Sequence, residues 1–317
     1  MKGELTMDQY LVLDIGGTFV KYAVMTAEGA FVMQGKVPVD HSNEEAMFAA
    51  LEAVRDAVAD YDYAGVAISM PGRIDTAAGI AYTGGAFSWL HDYPAAERYG
   101  AVFGKPATVA NDGKCAACAE SWQGALKDAS SGAAIVLGTG VGGGIILNKK
   151  LHVGFNGAAG EIGHMVIHVD GEGCNCGRKG CWKTYASATA LNRMTKELLE
   201  STHDSILEKV IAAEGVINAK VPYKAAREGS QVCAELCEKY AKYVATGVLN
   251  LINMLEPEVI CIGGGVSHEG DALLQPILEY VAKESYTREN DEEMQTAIKL
   301  AELGNDAGIY GCAKMVL

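Results

Sequence analysis

Four side chains with metal-ligating chemistry, His164, Cys174, Cys176 and Cys181, fall within eighteen residues, interspersed with Gly171, Gly173, Gly177 and Gly180. One imidazole and three thiolates form a tetrahedral Cys3His set for zinc, and with no open fourth position the metal is expected to be structural, not hydrolytic. Free thiols, or a disulfide with one cysteine left over, are the competing readings. A second kind of chemistry is suggested by Asn111-Asp112, where a short apolar run gives way to a helical pattern. A carboxylate there is either a helix cap or a general base that takes the proton of an attacking hydroxyl while Asn111 holds a neighbouring one.

Two glycine turns complete the set. In Asp14-Ile15-Gly16-Gly17-Thr18 a strand ends in an acidic residue, two residues without Cβ let backbone N–H groups approach an anion, and a hydroxyl follows. Asp14 would reach a phosphate-bound Mg2+ through water. The run from Leu137 to Gly144, with Thr139 and Gly140 at its turn, has the same character. Each turn alone reads equally well as a hairpin. Two of them opening corresponding strand pairs suit a polyphosphate held from both sides, and phosphoryl transfer asks for little beyond one base, one Mg2+ and backbone cradles.

The elements that must position these groups are legible as periodicities. Strands are expected at Tyr10–Ile15, Phe19–Met25, Phe31–Val37, Gly65–Ser69 and Ala107–Ala110, the fourth ending in the turn Met70-Pro71-Gly72. Apolar residues at 47, 51, 54 and 58 predict a helix over Asn43–Tyr61 after a Ser42/Asn43 cap. The pattern then restarts. Strands at Ala133–Leu137 and Gly144–Leu147 are followed by helices at Thr184–Glu200 and Gln231–Leu255, a strand at Val259–Ile262 ending in Gly263-Gly264-Gly265, and a terminal helix from Asp306. Two similar α/β halves facing one cleft are expected.

Composition bounds the rest. The 317 residues are 49% hydrophobic and 21% charged, an ordinary globular balance, and Lys+Arg 26 against Asp+Glu 40 leaves a net charge of −14. So acidic a chain, with no basic run, is not expected to bind nucleic acid. The uncharged stretch Ala129–Asn148 holds six glycines and suits two strands better than a membrane span. Nine cysteines without a disulfide framework and no secretory leader point to a reduced, cytoplasmic location. Cys115 and Cys118 mimic a redox pair, but core packing is the expected role for these two and for Cys233, Cys237, Cys261 and Cys312.

In order, these pieces resemble the ROK (repressor, open reading frame, kinase) family of sugar kinases. The matching stretches are DIGGT at 14–18, ISMPGRID at 68–75, VANDGKCAACAE at 109–120, LGTGVGGGI at 137–145, GAAGEIGHM at 157–165, CNCGRKGCWKTYAS at 174–187, IGGGVS at 262–267 and NDAGIYGCA at 305–313. The resemblance implies an α/β, two-lobed actin-like (ribonuclease H-like) ATPase fold with duplicated mixed sheets flanked by helices. It implies a smaller lobe at 1–118 joined by a C-terminal helix at 304–317, and a larger lobe at 119–303 carrying a zinc knuckle at 164–181. It further implies ATP- and Mg2+-dependent phosphorylation of a hexose or hexose derivative at the 6-hydroxyl, with structural Zn2+, a small-molecule sugar substrate and a homodimer or homotetramer.

Carried over residue by residue, Asp112 matches the catalytic base, and Gly72, Gly85, Asn111, Asp112, Glu161, His164 and Lys183 fall with the sugar. Gly16, Gly17, Thr18, Thr139 and Gly140 match phosphate turns, and Gly263, Gly264 and Gly265 the turn beside the adenosine. Family members with the knuckle usually read GCxE, the glutamate meeting the sugar near its anomeric end; this chain has Lys183 there. Thr18-Phe19-Val20-Lys21 and Tyr82-Thr83-Gly84-Gly85-Ala86 look more like the β-glucoside kinase branch, which often lacks the knuckle. A sugar-responsive regulator and a catalytically silent sugar-binding protein are the alternatives of another class. Only about ten residues precede Leu11, so a DNA-reading domain is not expected ahead of it.

Overall fold

Residues 9–85, 87–286 and 295–316 are described by a computed structural model, in which the chain divides into two compact units. The first takes the chain up to Gln123 and then residues 150–160 and 305–317; the second takes 124–149 and 161–304.

The first unit is built on a strand apolar along most of its length. β1 (Gln9–Ile15) buries Leu11, Val12 and Leu13 completely, which suits a central strand covered on both faces. It pairs antiparallel with β2 (Phe19–Thr26), which pairs antiparallel with β3 (Phe31–Pro38), an edge strand alternating half-buried and exposed residues. After α1 (Glu44–Ala57), capped by the Asn43 side chain on Ala46 N at 2.9 Å, β4 (Gly65–Met70) returns parallel to β1. A separate sheet of β5 (Ile74–Asp75), β6 (Ile80–Gly84) and β7 (Phe87–Tyr93) comes next, then α2 (Ala95–Phe103). β8 (Ala107–Asn111) lies parallel to β4 and runs directly into α3 (Asp112–Gln123). The order β3-β2-β1-β4-β8 brings the carboxyl ends of three parallel strands to one edge, where open α/β sheets take their ligands. Register there sets Asp14 opposite Ser69 and Met70 opposite Asn111.

The second unit repeats the plan. β9 (Gly132–Leu137) pairs antiparallel with β10 (Val141–Leu147), and after the two-residue β11 (Lys150–Leu151) the chain re-enters through a single 3-10 turn at Ile162–His164. Helices α4 (Lys183–Ala186), α5 (Ala188–Ser201), α6 (Ser205–Glu214), α7 (Lys220–Arg227) and α8 (Gln231–Leu255) follow. β12 (Val259–Gly263) runs parallel to β9; α9 (Asp271–Glu284) precedes β13 (Ala297–Leu300), which runs parallel to β12. Within this unit the order β10-β9-β12-β13 matches β2-β1-β4-β8. This is the duplicated mixed-sheet α/β architecture expected from the sequence.

Trp182 anchors the second core. It is fully buried, its Nε1 donates to Tyr243 O at 2.8 Å, and Gly247 of α8 makes room for it: a Cβ there would lie 2.0 Å from the indole. Burying an indole this way stabilises by roughly 2–3 kcal/mol. The neighbours Cys181 and Lys183 are therefore held on a fixed backbone.

The last helix, α10 (Ala307–Val316), belongs to the first unit. Ile309, Cys312 and Ala313 complete a buried cluster with Val12, Ala23, Met25 and Cys115. The crossing with α3 is so close that a Cβ at Gly311 would lie 1.6 Å from Cys115 O, so only glycine fits there. The single helix expected over 184–200 is two, because Ser187 is extended and its hydroxyl caps α5 on Ala190 N at 3.0 Å. Among the described residues no helix is long and apolar enough to cross a membrane.

Candidate functional site

In the first unit, Asp14 lies near the carboxyl end of β1 and its Oδ1 accepts from Ser69 Oγ at 2.8 Å. Burial pushes its carboxyl above the ordinary value; the Ser69 hydrogen bond and the Lys21 charge pull it down, and Asp306 pushes it up. A buried carboxylate whose ionisation is disfavoured is one that a cation would stabilise. Lys21, across the β1–β2 pair, is tied to Asn305 O at 2.7 Å. In the following turn Gly16 N donates to Phe19 O at 3.0 Å and Val39 N to Thr18 O at 3.1 Å. His41 Nε2 holds Gly17 O, and a Cβ at Gly17 would meet nothing within 4 Å, so the turn presents backbone to open space.

Asn111 and Asp112 form a second cluster at the same sheet edge. Asn111, not Asp112, supplies the side-chain cap: its Oδ1 accepts from Lys114 N at 3.1 Å. Its amide donates to Gly72 O at 2.9 Å and to Asp112 Oδ1 at 3.0 Å, and Gly113 N donates to that same Oδ1 at 2.8 Å. Gly72 has φ +108°, and a Cβ on it would lie 1.9 Å from Thr83 O. Gly85 packs on Pro71 and Gly72, so the β4–β5 and β6–β7 turns meet beside Asn111. Ala86 of the YTGGA stretch lies outside the described residues. Lys114, buried on α3, donates from Nζ to Gly157 O and so holds the glycine-rich 157–160 segment.

In the second unit Thr139 and Gly140 form the β9–β10 turn, and Gly263 ends β12, with Gly264 and Gly265 following it. Gly264, at φ +88°, presses on Leu137: a Cβ there would be 2.6 Å from its N and O. Both turns thus share one sheet edge. Glu161 precedes the 3-10 turn ending at His164; that turn lies on β10, where a Cβ at Gly163 would be 2.0 Å from Val141 O. Lys183 opens α4 and reaches the β9–β10 turn.

The four metal-ligating side chains converge as their spacing predicts. Their ligand atoms all lie within 4.8 Å of one another, with Cys174 Sγ 3.7 Å from His164 Nδ1 and Cys176 Sγ 3.6 Å from Cys181 Sγ. A tetrahedral zinc with bonds of ~2.3 Å to sulfur and ~2.0 Å to nitrogen requires edges close to these. The peptide folds to suit: Cys174 N donates to Arg178 O at 2.8 Å, and Gly180 takes φ +76° where a Cβ would meet His168 O at 1.7 Å. A backbone hydrogen bond at Arg178 lowers the Cys176 thiol, burial raises Cys181 to about 12, and burial followed by the Lys183 charge keeps His164 neutral-leaning. The other cysteines are core residues. Cys115, Cys233, Cys237, Cys261 and Cys312 are buried, and burial pushes the thiol of half-buried Cys118 up to about 12.

Ser69, Lys114 and Trp182 were not legible as site residues. The signals were faint: a serine ending an apolar strand, and a lysine in the first turn of a helix, where the dipole disfavours it.

Residues 10–317 match the family model described as the ROK family. A glucokinase of Halalkalibacterium halodurans is 35% identical over 310 residues, covering 95% of this chain and 93% of that protein. The crystal structure of a ROK family glucokinase from Streptomyces griseus, in complex with glucose and AMPPNP, is similar with a TM-score of 0.85 at 31% identity, covering 97% of this chain and 98% of that one. A xylose repressor of Caldicellulosiruptor bescii is 30% identical over 255 residues, 80% of this chain and 62% of that protein. With its two mixed sheets of matching strand order, the chain has the actin-like ATPase fold and belongs to the ROK family.

Proposed function

We propose that this protein is an ATP- and Mg2+-dependent carbohydrate kinase acting on a hexose or hexose derivative at its 6-hydroxyl, with Asp112 as general base. The observation that carries the reading is the Asn111 clamp. One amide joins Gly72 O to Asp112 Oδ1, which fixes the carboxylate at the carboxyl edge of the sheet. The similarity to glucokinases adds the substrate class.

In the reaction the sugar hydroxyl oxygen bonds to the γ-phosphorus, the bridging oxygen leaves with ADP, and the hydroxyl proton passes to the Asp112 carboxylate. Gly72, Gly85, Asn111, Glu161 and His164 are the residues that would contact the sugar, the last three offering hydrogen bonds to its hydroxyls. Gly17 and Thr18, and Thr139 with Gly140, offer backbone N–H groups to the phosphates; Gly16 shapes the first turn, its own N–H held by Phe19 O, and Gly263–Gly265 would lie beside the adenosine. Asp14 would hold the Mg2+ through water, which supplies charge neutralisation on the phosphates. His164, Cys174, Cys176 and Cys181 would hold a structural Zn2+. With Nδ1 turned to that cluster, His164 keeps Nε2 for a sugar hydroxyl, and a metal held there would fix the orientation of the ring.

The test is a coupled ADP-release assay over glucose, fructose, N-acetylmannosamine, allose and cellobiose, with the phosphorylated carbon identified by NMR. A β-glucoside kinase would favour cellobiose. A sugar-responsive regulator, the reading favoured by the xylose repressor relative, would bind sugar without consuming ATP. Absence of sugar-dependent ADP release across the panel would overturn the kinase assignment.

A further inference from the structure

Lys183 stands out for the surface it covers. Its backbone is fixed by the buried Trp182 before it, and its side chain lies along the β9–β10 turn: a Cβ at Gly140 would be 3.5 Å from Lys183 Cε and 3.6 Å from Nζ. The ammonium's hydrogen-bond partner is the neutral Asn175 Oδ1 at 3.3 Å, and among the described residues it enters no ion pair. In a chain of net charge −14, a lysine left without a carboxylate is a departure that asks for an anion.

The turn beneath it is prepared for one. All three of its carbonyls are used by the protein: Gly138 O accepts from Ala188 N at 2.8 Å, Thr139 O from Thr189 Oγ1 at 2.9 Å and Gly140 O from Gly138 N at 3.0 Å. The N–H groups of Thr139 and Gly140 have no acceptor among the described residues. A Cβ at Gly138 would meet nothing within 4 Å, and one at Gly140 would meet only Lys183. Two free backbone donors under an unpaired ammonium form an anion-binding concavity.

We propose that Lys183 is a phosphate-binding residue, its ammonium pairing with a terminal phosphate oxygen of the nucleoside triphosphate seated on the Gly138–Gly140 turn. This rests on the kinase reading above and gives the side chain a role distinct from the sugar contact that the resemblance assigns to its position. The chemistry is that of a point charge on a phosphoryl group, so arginine would substitute in part and methionine would not.

The experiment compares wild type, Lys183→Met and Lys183→Arg by calorimetric titration with AMPPNP and with adenosine, alongside KM values for ATP and sugar. K183M is expected to weaken AMPPNP about tenfold or more, the size of a lost charged hydrogen bond, with adenosine affinity and sugar KM within twofold of wild type. K183R should recover part of the loss. Unchanged AMPPNP affinity, equal losses for AMPPNP and adenosine, or a change confined to the sugar KM would each overturn the assignment. If wild type binds AMPPNP but phosphorylates no sugar, the kinase reading fails while the titration still reports on Lys183.

Discussion

Gly308 and Asp14 are in direct contact: a Cβ at residue 308 would lie 2.5 Å from the Asp14 carboxyl carbon. The helix that closes the chain therefore presses bare backbone against the carboxylate near the end of its first described strand. Burial raises the Asp14 carboxyl above its ordinary value, and this approach is one of the contacts that cover it.

Gly308→Ala should displace the Asp14 carboxylate. The expected result is a Mg2+ requirement raised about tenfold, with a stability loss of about 1–3 kcal/mol from overpacking. Titrating activity with Mg2+, next to a thermal melt, checks both; an unaltered Mg2+ dependence would detach Asp14 from the metal.

Asp14→Asn should stabilise the fold while removing activity. Burial raises the folded-state carboxyl above its ordinary value of 3.8, so below that value the group is protonated in both states and its ionisation costs nothing. As pH climbs from there through the folded-state value, the unfolded chain gives up the proton more readily and the folded state loses stability. The asparagine variant should therefore melt higher than wild type at pH 7, with the gain shrinking as the pH falls towards 4. Thermal melts across that range decide it, and a gain that grows in acid would contradict the burial argument.

Asp112→Asn should lower kcat by about 10²–10⁴-fold, the usual contribution of a positioned general base. The Asn111 cap on Lys114 N does not involve the altered group, so helix α3 and the melting temperature should be kept. Sugar-dependent ADP release above a tenth of the wild-type rate would remove Asp112 from the role of base.

Much of this arrangement can be read from local pattern, and the failures have physical causes. The helix Gln231–Leu255 and the Asn43 cap appear where periodicity and capping residues put them. The four metal-ligating residues were legible because their types and spacing are local. β10 starts three residues earlier than expected, since Gly140, Gly142 and Gly143 look like a turn. Yet a Cβ at Gly143 would lie 2.2 Å from Ala134 O, so close strand packing requires glycine there. The sheet β5-β6-β7 escapes pattern reading because β5 has only two residues and the β6–β7 register shifts at Thr83/Gly84. Helices α2, α6, α7 and α9 and strand β13 were also not anticipated. Ser69, Lys114 and Gly308 take their roles from register and helix crossing across long sequence separations, which no local pattern carries.

Cys176→Ser is a clean probe of the metal cluster, because Cys176 is exposed, whereas at the fully buried Cys181 a serine would put a hydroxyl into the core. Wild type should carry one zinc per chain by elemental analysis, and the variant should lose most of it. Sugar KM should rise with that loss through His164; full zinc occupancy in the variant would exclude Cys176 as a ligand.

The helix Ala307–Val316 has a consequence for how the molecule is made. The buried cluster it completes joins Ile309, Cys312 and Ala313 to β1 and β2, more than 280 residues upstream. On the ribosome β1 and β2 must wait for α10, holding an unfinished apolar surface while the whole intervening unit emerges. Termination before Ala307 would therefore strand β1 and β2, not the unit made between them and the helix.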